Sequence, residues 1–84
     1  MERNYRTSHQ GIAAYIETQG HDIVHAEPGT NKQGRRVTFF EFQLDHETGR
    51  RLGDDFFNDN VEGNIKTFYE ALQNVRKKAW EARK

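Results

Sequence analysis

The sequence predicts a small α+β domain: an antiparallel β-hairpin of two to three strands packed against a long C-terminal helix and two shorter ones. Three observations carry that prediction. From Val61 to Trp80 the apolar residues Val61, Ile65, Phe68, Leu72, Val75 and Ala79 recur at alternating spacings of four and three, one continuous stripe along a helix. Arg35 to Leu44 reads RRVTFFEFQL, a run of β-branched and aromatic residues that favours a strand. Eighty-four residues, 33% hydrophobic and 12% aromatic, leave room for one core built mainly from rings, so residues 1–84 form a single domain.

Taken in order, Asn4 to Thr7 is short, polar and extended. Thr7 followed by Gln10 has capping-box spacing, with a hydroxyl to accept the third amide and an amide side chain to reach back. A first helix is expected from about Ser8 to Gln19, with a narrow face of Ile12, Tyr15 and Ile16 beside Ala13 and Ala14. Gly20 suits the left-handed position that ends it. His21 to Glu27 reads as a strand, Pro28-Gly29 as a turn, and GTNKQG as a polar loop closed by Gly34. The next strand alternates Phe40, Phe42 and Leu44 on one face with Val37 and Phe39 on the other. Apolar residues on both faces imply a central strand or helices on both sides; a bulge at Phe39-Phe40 is the alternative. Leu52, Phe56 and Phe57 suit a short second helix, in which Gly49 and Gly53 would each cost about 1 kcal/mol relative to alanine. Either that helix starts only near Gly49, or the glycines admit another backbone. Asp59-Asn60 is a break and a cap for the long helix.

The formal net charge is zero, which argues against a strongly basic nucleic-acid binder, but the charge is unevenly spread. Glu41 to Glu62 holds seven acids against two bases, and Lys66 to Lys84 six bases against two acids. Cysteine is absent, so there is neither a disulfide nor a thiolate metal site. No run is apolar enough to cross a membrane, and the opening MERNYRTSHQ lacks the apolar core of a signal peptide. These features predict a cytoplasmic protein. A homodimer would relieve the shortage of buried surface in so small a chain.

Each candidate for chemistry has a structural counterpart. His21 and His25 share a strand face but lie about 13 Å apart along it, too far for one tetrahedral ion. Asp54, Asp55, Asp59 and Glu62 offer carboxylates but no base and no phosphate cradle, so they read as an acidic solvated face. The loop Gly29 to Gly34 with Lys32, Arg35 and Arg36 has flexible backbone and forked cations for phosphate, without a P-loop's terminal Gly-Lys-Ser/Thr. Phe40 and Phe42 resemble strand aromatics on which RNA bases stack, yet suit core rings better. The basic tail, Arg76-Lys77-Lys78 and Arg83-Lys84 around Trp80, can track a phosphate backbone or neutralise a helix C-terminus.

The run Tyr5-Arg6-Thr7, Ile12-Ala13-Ala14-Tyr15-Ile16 and Gly20-His21 resembles the opening of a small uncharacterised domain found in phages and bacterial mobile elements. The resemblance continues through Arg36-Val37, Phe40, Phe42, Phe56-Phe57-Asn58, Val61, Phe68-Tyr69 and Ala71-Leu72, nearly the whole chain. It implies a phage or mobile-element origin and gives no residue a role, because the family is known only as a domain of unknown function.

The expectation is a non-enzymatic binding module with no cofactor and no metal. One reading is DNA or RNA binding through Lys32, Arg35 and Arg36 on the hairpin and Arg76, Lys77 and Lys78 on the helix, which requires the two groups to share a face. The other is a protein-binding module, an inhibitor or adaptor of a host protein, anchored by Phe57 or Trp80. A contiguous basic face distinguishes the first, an exposed apolar patch the second.

Overall fold

The computed structural model describes residues 4–61 and 63–83. It is an α+β domain of three antiparallel strands and three helices, in the order β1 (Tyr5–Thr7), α1 (Gln10–Thr18), β2 (Ile23–Thr30), β3 (Arg36–Phe42), α2 (His46–Phe57) and α3 (Ile65–Ala82). The sheet order is β1-β3-β2, so the most apolar strand is central, paired with β1 through Tyr5–Phe42 and with β2 through Glu27–Phe39. Its inner face, Thr38, Phe40 and Phe42, is buried. Its outer face carries Phe39, over which the Arg6 guanidinium lies 4.8 Å from the ring centroid while pairing with Glu27. The irregularity falls between Ile23 and His25 on β2, not at Phe39-Phe40.

Pro28-Gly29 is strand rather than turn. Proline lacks an amide, and an edge strand tolerates that loss where a central one does not. Gly29 is needed beneath the Phe39 ring, whose Cδ2 would lie 2.8 Å from an added Cβ. The tip is accordingly shorter than the GTNKQG loop suggests. The Asn31 side-chain oxygen accepts from the Gln33 and Arg35 amides at 3.0 and 2.9 Å, and Gly34 takes φ 79°.

The most enclosed helix is α1, not the long one. Ile12, Ala13, Ala14, Tyr15 and Ile16 are all buried, and α1 packs against both α2 and α3. Its cap is His9, whose Nδ1 accepts from the Ile12 amide at 3.2 Å; the expected Thr7–Gln10 capping box is replaced by a Thr7 hydroxyl that accepts from the His9 amide. The helix ends at Gly20 as expected, with the Gly20 amide on the Glu17 carbonyl and the His21 amide on that of Ile16, the paired bonds of a Schellman motif.

Helix α2 runs from His46 through both glycines. The Asp45 carboxylate caps it, accepting from the Thr48 amide and hydroxyl at 2.9 and 2.7 Å, which holds its pKa below the usual value. What Gly49 admits is a ring rather than a backbone: Tyr5 lies flat on it, with Cδ2 2.8 Å from where a Cβ would stand. Burial pushes the Tyr5 hydroxyl pKa up. The C-terminus of α2 is a second Schellman turn, with Asp59 at φ 59° in the left-handed position.

Asn64, not Asp59-Asn60, caps α3; its side-chain oxygen accepts from the Thr67 amide at 2.7 Å. Val75 and Ala79 are buried, and Phe68, Ala71 and Leu72 pack partly against the core. The stripe is covered only from Phe68 onward, because Val61 and Ile65 are exposed. Asn74 ties α3 to α1 by donating to both Glu17 carboxylate oxygens at 3.1 and 2.9 Å. Among the described residues no helix is long and apolar enough to cross a membrane.

Candidate functional site

The cations of the hairpin and of α3 meet at one place. Arg36, at the start of β3, and Arg83, the C-cap of α3, line one shallow depression with Pro28, Gly29, Thr30 and Val37. They meet because the last turns of α3 pack onto β2, which carries the helix end toward the hairpin. Lys32 and Arg35 are exposed on the tip beyond, presented by the turn that Asn31 closes.

Along α3, Tyr69, Gln73, Arg76, Trp80 and Arg83 repeat at spacings of four and three, the first four each one residue after Phe68, Leu72, Val75 and Ala79 of the core stripe, and all five are exposed. They therefore form a second line about 100° round the axis from the first, about 21 Å long at 1.5 Å per residue. It holds two arginines, two aromatic rings and no acid; Glu70 and Glu81 fall about 100–120° away from its centre. Trp80 is 62% exposed and Tyr69 57%. The line ends at Arg83, against Arg36.

The three consecutive cations expected to act together diverge. Arg76 lies on the exposed line. Lys77 is exposed about 80° beyond the centre of that line, and Lys78 is about half a turn away. Lys78 lines a different hollow, with Glu81 and residues Ile23 to Ala26, and its charge also acts on Glu17. Burial pushes the Glu17 pKa up, against the opposing effects of the Asn74 hydrogen bond and of Lys78. Tyr69 is the member that composition does not single out, and Arg83 belongs to the basic tail but not to the six cations expected to bind. The signal for them was the same four-and-three spacing, displaced by one residue. Lys84 lies outside the described residues.

Elsewhere the candidates disperse. Phe40 and Phe42 are fully buried and unavailable for stacking. His25 faces Glu41 across the ladder and approaches Glu27 at 3.5 Å. Among the described residues no group of three or more His, Asp or Glu side chains is gathered as a metal site requires; Glu62 lies outside those residues. Phe57, the other proposed anchor, is 64% exposed at the end of α2, edge-on to His9 and Phe56. It is remote in sequence from the basic line; its neighbour Phe56, with Tyr15 and Phe68, lines an apolar groove between α1 and the start of α3.

Searches of curated proteins and of solved structures found no match. A family profile does match, over residues 2–81, and its description is a domain of unknown function, DUF5659. The chain belongs to that family.

Proposed function

We propose that this member of the DUF5659 family is a non-enzymatic module that binds single-stranded nucleic acid along the exposed line of α3 and onto the hairpin tip. One observation carries the reading: Tyr69, Arg76, Trp80 and Arg83 share a helix face free of acids that terminates beside Arg36. Alternating rings and forked cations are what a flexible strand requires. Guanidinium groups hold phosphates in pairs of hydrogen bonds, and exposed rings stack on bases whatever their sequence. A duplex hides its base faces, so the rings favour single strands. Lys32 and Arg35 extend the positive path, while Lys77 and Lys78 lie off it. Neutral net charge limits non-specific attraction and makes the local arrangement decisive. The setting we infer is a phage or mobile element, in the cytoplasm.

The test is fluorescence anisotropy with labelled single- and double-stranded DNA and RNA. With three to five phosphates neutralised, binding to a single strand should weaken about twenty- to a hundredfold between 50 and 200 mM salt. Arg76→Ala/Arg83→Ala should abolish binding at the higher salt. Trp80→Ala should remove the roughly 1–3 kcal/mol of one stacked base. Lys77→Ala/Lys78→Ala should have much the smaller effect. Absence of binding at 50 mM salt, or equal losses from the two double variants, would overturn the reading.

A further inference from the structure

At the other end of α3 the surface changes character. Ile65, the first residue of the helix, is 88% exposed, and Val61 before it is 48% exposed. Both stand on the rim of a groove of about 310 Å³ between α1 and the start of α3, floored by Tyr15, Phe56 and Phe68. Phe56 and Phe68 stack there with centroids 6.1 Å apart, and Phe57 continues the aromatic surface edge-on to Phe56. An isoleucine exposed beside an aromatic groove is not an isolated surface residue; contiguous apolar patches of this kind mark interaction sites.

We propose that the groove is the interface of a homodimer in which Ile65 and Val61 of each copy enter the groove of the other. Three features select a second copy of this chain. A two-fold interface needs a knob and its hole on the same patch, since each surface meets itself; here the protruding aliphatic residues are on the lip of the hollow that would receive them. Self-association also forbids like charges at the centre, and among the described residues lining the groove there is no Asp, Glu, Lys or Arg. A nucleic acid or a charged partner protein would find no charge there to pair with, only the polar groups of Thr18, Asn64 and Thr67. Finally, among the described residues the largest fully enclosed side chains are Phe40, Phe42, Ile16 and Val75, a small core to which dimerisation adds buried apolar area.

Sedimentation equilibrium from about 10 μM to 1 mM tests this, read against the 9.9 kDa mass of one chain. The wild type should move from monomer to dimer across that range. Ile65→Asp and Val61→Asp should each weaken the dimer at least about thirtyfold, as loss of an interface hot spot does, with the far-UV circular dichroism spectrum of the wild type. Lys77→Asp, at the other end of α3, should leave the association constant unchanged. A wild type that stays monomeric throughout overturns the proposal, as does a dimer that survives Ile65→Asp and Val61→Asp intact. A monomer that binds an apolar dye, and loses that binding in Ile65→Asp, would also overturn it and assign the groove to a small apolar ligand.

Discussion

Gly49→Ala is the substitution at which local and tertiary preferences oppose each other most directly. Within an exposed helix, alanine stabilises by about 1 kcal/mol over glycine. Gly49, however, is a buried position of α2 with the Tyr5 ring flat upon it, and a Cβ there would overlap Cγ and Cδ1 and lie 2.8 Å from Cδ2. The ring cannot yield cheaply. It is carried by β1, which is hydrogen-bonded to β3, and the Tyr5 amide itself donates to the Leu44 carbonyl at 3.1 Å. Overpacking of this kind costs about 1–3 kcal/mol and more when a backbone must shift. The expected net result is destabilisation by about 1–2 kcal/mol, or a fall of roughly 5–15 °C in Tm for a domain of this size. The assay is thermal unfolding of a double-mutant cycle with Tyr5→Ala. In the Tyr5→Ala background the ring is gone and only helix propensity remains, so Gly49→Ala should change sign and raise stability by about 1 kcal/mol. The coupling between the two sites is then about 2–3 kcal/mol, the upper range for residues in contact. A stabilising Gly49→Ala with Tyr5 present, or the same effect in both backgrounds, would refute the reasoning.

Two further predictions concern the helix ends and the helix packing. Asp59 occupies a left-handed position, φ 59°, that glycine adopts without a steric penalty; Asp59→Gly should raise stability by about 0.5–1 kcal/mol in urea unfolding, whereas Asp59→Val should lower it. Glu17 has its pKa raised above 4.5 by burial, so the folded state takes up its proton at a higher pH than the unfolded chain does. The resulting penalty is absent below the unfolded value, grows as pH rises toward the folded value, and is fully present above it. Glu17→Gln keeps an oxygen for Asn74 and should gain on the wild type in urea midpoint as pH rises from 4 to 7; a difference independent of pH would rule out burial of this carboxyl as its origin.

What was legible in the sequence was what short-range physics dictates. Gly20 closes α1 because a left-handed residue is needed there, and the alternation of Phe40 and Phe42 gave the inner face of β3. Apart from the start of α3, where Asn64 is an ordinary cap that Asp59-Asn60 resembles, the misplaced boundaries involve a longer-range partner or an uncommon residue in a common role. Histidine is not a usual cap, yet His9 caps α1 because its ring is also held edge-on by Phe56 and Phe57. Pro28-Gly29 has the composition of a turn, and becomes strand because β3 pairs with it and Phe39 covers the glycine. Gly49 was tolerated in α2 on account of a ring from the opposite end of the chain, which no window around it contains. The cations of α3 could be counted from sequence and sorted by helical angle, but not joined to those of the hairpin. Three consecutive residues on a helix diverge by about 100° each, so Arg76, Lys77 and Lys78 could not all serve one face. Pairing Arg83 with Arg36 depended on where the last turns of α3 lie on β2.

The two surfaces of α3 are connected by one geometric fact: its core stripe is longer than the core. Four-and-three spacing extends from Val61 to Ala79, but α1 and the sheet cover it only from Phe68, leaving Val61 and Ile65 uncovered. A domain selected only for its own stability would have no use for an isoleucine 88% exposed at a helix start, where polar residues serve the unpaired amides better. The displaced line beginning at Tyr69 lies outside the core and is exposed along its length. From Ile65 to Arg83 the helix rises about 27 Å, which sets the basic end of the line well apart from the groove, whereas Tyr69 stands one turn, about 6 Å, from Ile65. Association through the first turn would therefore leave Arg76, Trp80, Arg83 and the hairpin tip of each copy open. Two such lines joined in one particle would bind a sufficiently long strand more tightly than either alone, through effective concentration rather than through any new contact.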